Sequence, residues 1–142
     1  MITQAGARIR PRAFDRRPVT YPVTDGFHAL KLSSRSENGY VVAALAGELG
    51  LACAPTLREQ LFGLLRTTSS QLVVDLSALT YADANGLAVL VGTGRRAVLL
   101  GGFLRLAAPS PTVAKALRFT GLDRQLRIFP TVQAAITGQE SA

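Results

Sequence analysis

Residues 72–87 read Leu72-Val73-Val74-Asp75-Leu76-Ser77-Ala78-Leu79-Thr80-Tyr81-Ala82-Asp83-Ala84-Asn85-Gly86-Leu87. The opening run, Leu72 to Leu76, is short and apolar, the pattern of a central strand buried on both faces. The loop from Thr80 to Leu87 then leads into a helix, and Asp83 and Asn85 are both good N-cap residues for its start. From Leu87 the apolar positions take helical spacing, Leu87, Leu90, Val91, Gly94 and Val98, until Gly101-Gly102 ends the stripe. Strand, loop and helix in direct succession point to an alternating α/β chain.

The pattern extends in both directions. Upstream, Leu57, Leu61, Leu64 and Leu65 lie on one helical face, and Pro55 suits the first turn, where its missing N–H costs nothing. Before that helix, Tyr40 to Ala46 reads as a strand closed by Gly47. It is joined through the turn Ser36-Glu37-Asn38-Gly39 to a looser strand from Phe27 to Ser33, with Asn-Gly as the hairpin signal. Downstream, Phe103 to Ala107 is a strand, and Pro109-Ser110-Pro111 opens a helix carrying Val113, Ala116, Leu117 and Thr120, ended by Gly121. Arg127 to Phe129 is a short final strand before a last helix, Thr131 to Thr137. The order β-β-α-β-α-β-α-β-α predicts parallel pairing after the opening hairpin.

A chain of 142 residues with 48% apolar and 18% charged residues is one domain with an adequate core. The domain is expected over residues 27–138, after a flexible basic arm at 1–26 and before a short tail at 139–142. The formal net charge is +7, and the first quarter of the chain supplies most of it through Arg8, Arg10, Arg12, Arg16, Arg17, Lys31 and Arg35. Such an arm binds anionic surfaces non-specifically or is simply a solvated tail; it gives no reason to expect specific nucleic-acid recognition. One cysteine, Cys53, excludes an internal disulfide, and one histidine, His28, excludes a His-rich metal site. Cys53 reads as a small buried residue near a helix start, and His28 as a strand side chain. No apolar signal segment precedes the domain, and the apolar stretch Gly86 to Ala108 is interrupted by Arg95, Arg96 and Arg105. A cytoplasmic protein with no membrane insertion is expected.

In an alternating α/β sheet, functional loops gather beyond the C-terminal ends of the strands. Two loops fall there: Gly47-Glu48-Leu49-Gly50, and Thr80 to Leu87. The helix start in the second favours a negative group through its free N–H groups and macrodipole. A polar cap followed by a glycine needed for close packing accounts for the same residues without any ligand. No nucleophile lies beside a base, and no spacing suits a metal or a cofactor, so an enzyme is not expected.

Four segments, in order, resemble the STAS domain, and in particular the bacterial anti-sigma factor antagonists. Gly47-Glu48-Leu49-Gly50 is similar to the family's Gly-Glu-Leu-Asp turn. Val73 to Thr80 resembles the strand before its central motif, and Asp83-Ala84-Asn85-Gly86-Leu87 stands in the place of its Asp-Ser-Ser-Gly-Leu. Leu104-Arg105-Leu106, Ser110-Pro111 and Thr120-Gly121-Leu122-Asp123 match its C-terminal third. The resemblance implies an α/β STAS fold: a β-hairpin start, then alternating helices and strands, in a mixed sheet with helices packed mainly on one side. It also implies a partner-binding surface at Glu48, Leu49, Gly50, Asp83, Ala84, Asn85, Gly86 and Leu87. The partner implied is an anti-sigma factor that is also a serine kinase of the GHKL type.

In that family the first serine of the central motif is phosphorylated, which ends binding to the kinase. Here the phosphoacceptor-equivalent position is Ala84, which has no hydroxyl, and Asn85 follows it. Gly50 stands where the family has aspartate. Two functions follow. One is an anti-sigma factor antagonist that phosphate at the usual site cannot switch off. The other is a STAS adaptor subunit of a transporter or another signalling assembly.

Overall fold

Six strands, hydrogen-bonded in chain order, form one sheet in the computed structural model, which describes residues 19–24 and 29–138. The strands β1 (Val19–Thr24), β2 (Ala29–Glu37) and β3 (Tyr40–Leu49) are antiparallel neighbours. The strands β4 (Gln71–Ala82), β5 (Phe103–Ala107) and β6 (Arg127–Phe129) continue from β3 in parallel. Helices α1 (Ala54–Thr67), α2 (Ala84–Leu99) and α3 (Pro111–Thr120) connect the parallel strands, and α4 (Val132–Thr137) follows β6. The alternating order and the mixed sheet are those expected from the sequence. Asn38 and Gly39 turn β2 into β3 with φ of 54° and 85°, the doubly positive pair that a tight hairpin requires.

Period-two alternation sorts the strand residues between two layers. Val41, Ala43 and Leu45 of β3 with Leu72, Val74 and Leu76 of β4 meet the leucine stripes of α1 and α2 and Val113 and Leu117 of α3. Val42, Val73, Ala107 and Phe129 point the other way, where Ala135 and Ile136 of α4 cover them. Three helices therefore share one face, and the short fourth seals part of the other. Arg105 fastens α4: its Nη1 donates to the Ala135 carbonyl at 2.9 Å, and its guanidinium carbon lies 3.7 Å from the Phe103 ring centroid. Burial, and then the neighbouring Arg127, push the Arg105 pKa below its ordinary value.

Two differences from the sequence expectation concern strand length. Residues 19–24, expected within the arm, form β1 and pair with β2 from Val19↔Ser34 to Thr24↔Ala29. Pro22 is compatible with this because β1 is an edge strand, where a missing N–H need not break a ladder. The alternation of Val19, Tyr21 and Val23 was a strand signal masked by the surrounding prolines and arginines. The loops at Gly47–Gly50 and Thr80–Leu87 are shorter than expected, because β3 and β4 stay paired as far as Leu49↔Ala82 through two register shifts. Ser77, Ala78, Thr80 and Tyr81 are exposed while remaining in the strand, so hydropathy does not mark them. Most of the arm (1–18), Phe27, His28 and the tail 139–142 lie outside the described residues.

The junction of α2 and β5 depends on a glycine. Gly102 N–H donates to Ala97 O at 2.8 Å, and Phe103 N–H donates to Ser70 O at 2.9 Å, which presses residue 102 against the Ser70 carbonyl. A Cβ at 102 would overlap that carbonyl oxygen, whereas one at Gly92, on the exposed side of α2, would meet nothing within 4 Å. Gly102→Ala is expected to lower stability by about 1–3 kcal/mol through overpacking. Gly92→Ala should raise it by about 0.5–1 kcal/mol through helix propensity. Urea unfolding of the two variants beside the parent checks the opposite signs.

Candidate functional site

The ends of β3 and β4 and the start of α2 meet at one pole of the sheet. Asp83 organises the meeting. Its backbone N–H donates to Leu49 O at 3.0 Å, which holds the end of β4 against the end of β3. Its carboxylate then accepts twice: Oδ1 from Gly86 N–H at 2.8 Å, and Oδ2 from Leu51 N–H at 3.2 Å. The first bond is the N-cap of α2; the second ties down the 3-10 turn Leu51–Cys53 that leads into α1. Asp83 is the cap expected from the sequence. Asn85 is not a cap; it sits exposed in the first turn of α2.

Gly86 is needed here for close approach. A Cβ on it would lie 2.6 Å from Leu49 Cγ and 2.9 Å from Leu49 O. Leu49 and Leu87 are fully buried, so they shape this pole from beneath. Gly50 has an extended backbone that any residue adopts, but a Cβ there would come within 3.2 Å of Asp83 Oδ2. An aspartate at 50 would therefore push a second carboxylate onto the one that caps both segments. Cys53 lies beneath the turn, 2% exposed, with Sγ 3.4 Å from Gly50 O and 3.5 Å from Gly50 N. It is the buried residue near a helix start that its sequence position suggested.

Above these residues opens a cleft of about 630 Å³ lined by Glu48, Gly50, Leu51, Ala52, Cys53, Tyr81 and Asp83. Its rim is apolar as well as acidic: Leu51 is 65% exposed and Tyr81 is 48% exposed. Ala84, the first residue of α2, is exposed beside it. The structure thus brings Glu48, Leu49, Gly50, Asp83, Ala84, Asn85, Gly86 and Leu87 to one pole. Their exposure divides them: Glu48, Ala84 and Asn85 face solvent, whereas Leu49, Gly86 and Leu87 are scaffold. Leu51, Ala52 and Cys53 belong to the cleft without having been expected there; an apolar residue directly after a Gly-x-x-Gly turn was the available signal. No three His, Cys, Asp or Glu side chains among the described residues gather as metal ligands.

A family model for the STAS domain matches residues 31–135. The chain belongs to the STAS domain family. Among its relatives is the anti-sigma-F factor antagonist RsfB of Mycobacterium tuberculosis, 29% identical over 110 residues, covering 78% of this chain and 89% of that protein. The solved structure of an anti-sigma factor antagonist from Mycobacterium paratuberculosis superposes with a TM-score of 0.70 at 26% identity, covering 77% of this chain and 92% of that one. The fold is also shared, at 14% identity and a TM-score of 0.63, with part of the murine Solute Carrier 26 family member A9 anion transporter, covering 93% of this chain and 23% of that one. That last likeness is one of architecture. No helix among the described residues of this STAS chain is long and apolar enough to cross a membrane.

The double cap makes Asp83 the most consequential polar side chain of the pole. Asp83→Ala should cost about 1–2 kcal/mol, because both Leu51 and Gly86 lose their acceptor. Asp83→Asn, which keeps one carbonyl oxygen, should cost less. Amide hydrogen exchange at Leu51 and Gly86 distinguishes the two: the alanine variant should speed both amides, and the asparagine variant mainly one.

Proposed function

We propose that this STAS domain is an anti-sigma factor antagonist whose docking surface is the pole around Asp83, and that its partner is a kinase-type anti-sigma factor of the GHKL class. Binding that partner would release a sigma factor. The observation that carries this reading is the exposed apolar pair Leu51 and Tyr81, which line one cleft with Asp83, the cap of a helix whose first residue, Ala84, is exposed. A turn and a helix start locked by one carboxylate form a preorganised surface, and preorganisation reduces the ordering cost of association.

In the antagonists that this chain resembles, the position of Ala84 carries the phosphorylated serine. A phosphate there would add about −1.5 to −2 charge at the edge of an already acidic rim and disrupt an interface built for a small neutral group. Ala84 cannot accept one, and neither can the Asn85 amide. Of the nearby hydroxyls, Thr80 Oγ1 donates to Gly47 O at 3.0 Å and is held within the strand pair. The proposed protein is therefore binding-competent at all times and is regulated by its abundance or by a second signal. This role implies a cytoplasmic location. The absence of a cofactor requirement follows from a purely steric and electrostatic interaction.

Affinity capture of the tagged full-length protein from its own cells, followed by titration with the recovered partner, tests the proposal. A kinase-like anti-sigma factor should be recovered. Ala84→Glu should weaken its binding by about tenfold or more, equivalent to about 1.4 kcal/mol. Ala84→Ser should become a phosphate acceptor with that partner and ATP. Recovery of transporter or scaffold subunits in its place would support the adaptor function, and an unchanged affinity for Ala84→Glu would move the docking surface away from this pole.

A further inference from the structure

Because β3 to β6 are parallel and α1, α2 and α3 connect them, all three helices start at the Asp83 pole and end at the opposite one. The segments that follow them meet one another or a neighbouring helix there. The Ser70 carbonyl that follows α1 receives the Phe103 N–H that follows α2, and Leu126, beyond α3, packs over Gly94 of α2. The last turns carry Arg66, Arg96 and Arg118, and the 3-10 turn Leu122–Arg124 ends on Arg124. These four and Arg95 are exposed, with Asp123 as the nearby acid in sequence. The charge contrasts with Glu48 and Asp83 at the cleft.

Cations at helix C-termini offset the macrodipole, which accounts for arginines in last turns. It does not account for the apolar side chains among them. Phe119 is 90% exposed, Leu99 81% and Val98 65%, with Leu100 beside them, which makes this pole the most apolar exposed surface of the described chain. Of three kinds of occupant, two fit the apolar residues or the charge, but not both. A second copy across a two-fold axis would set the arginines against their own kind. A nucleic-acid backbone would pair with the arginines and leave Leu99 and Val98 without a partner. A bilayer surface takes both, since guanidinium groups sit at lipid phosphates while Leu, Val and Phe sink below them.

We propose that this pole adsorbs peripherally to an anionic lipid bilayer, with Leu99 and Phe119 as anchors and Arg95, Arg96 and Arg118 as headgroup contacts. The adsorbed molecule lies on the membrane without spanning it and turns the Asp83 cleft towards the cytoplasm. The inference is independent of which protein docks at that cleft.

The test is co-sedimentation of the full-length protein with vesicles of phosphatidylcholine alone and of phosphatidylcholine mixed with phosphatidylglycerol, at physiological ionic strength. Binding is expected to the mixed vesicles only. Leu99→Ser with Phe119→Ser keeps every charge, including the basic N-terminal residues, and should cut the bound fraction about fivefold or more. Arg95→Gln with Arg118→Gln should lower the partition coefficient about tenfold or more. The sequence contains no tryptophan, so Phe119→Trp supplies a single indole whose emission should move to the blue on mixed vesicles. An unchanged thermal midpoint confirms that these exposed substitutions leave the fold intact, and Ala84→Glu should leave vesicle binding unaltered. The proposal is overturned if the serine variant binds like the parent, or if the indole emission stays at its value in water. It is equally overturned if the protein ignores the mixed vesicles while binding duplex DNA or polyglutamate.

Discussion

One carboxylate holds two chain segments in register at the end of the sheet. Asp83 accepts from Leu51 N–H and from Gly86 N–H while its own N–H is held by Leu49 O. Each bond is ordinary in strength, but together they set the exit of β3, the exit of β4 and the start of α2 relative to one another. The same arrangement forces Gly86 against Leu49, and only a residue without a Cβ allows that approach. The cleft, its apolar rim and the outward position of Ala84 all follow from this junction.

Parallel topology also explains why the molecule has two unlike poles. Successive crossovers on one face of the sheet bring every helix start to one end and every helix end to the other. Helix ends favour bases, and the last turns of α1, α2 and α3 carry Arg66, Arg96 and Arg118, whereas Asp83 is the acid at a helix start, as the N-cap of α2. The exposed Leu51 and Tyr81 at one end, and Leu99 and Phe119 at the other, are what this electrostatic sorting leaves unexplained. Apolar side chains that no neighbour covers are where an α/β domain of this size meets other surfaces.

Much of this was legible in the chain because it rests on local chemistry. Asp83 three residues before Gly86 is a cap in any context, and Ser110 with Pro111, Thr131, and Asn38 with Gly39 are signals of the same local kind. The α/β class and the order of elements from β2 onward followed from hydrophobic period. What hydropathy concealed was β1 and the distal ends of β3 and β4, which are held by backbone pairing; at those distal ends Glu48, Ser77, Ala78, Thr80 and Tyr81 are exposed. Asn85 carries the same cap chemistry as Asp83, yet only one residue can occupy the cap position of a helix, and the pairing of Asp83 with Leu49 decides which.

The sequence by itself determined the order of elements after β1, the turn at Asn38-Gly39, and the candidate pole around Asp83 and Ala84, because each depends on residues close together in the chain. The tertiary structure decided what no local pattern contains. It joined Leu51 to Asp83 across 32 positions, opened a cleft lined by Glu48, Leu51 and Tyr81, and exposed some leucines while burying others of identical character. The physical reason is that burial and cross-chain hydrogen bonding are properties of the packed sheet, and a leucine carries no mark of whether a neighbour will arrive to cover it.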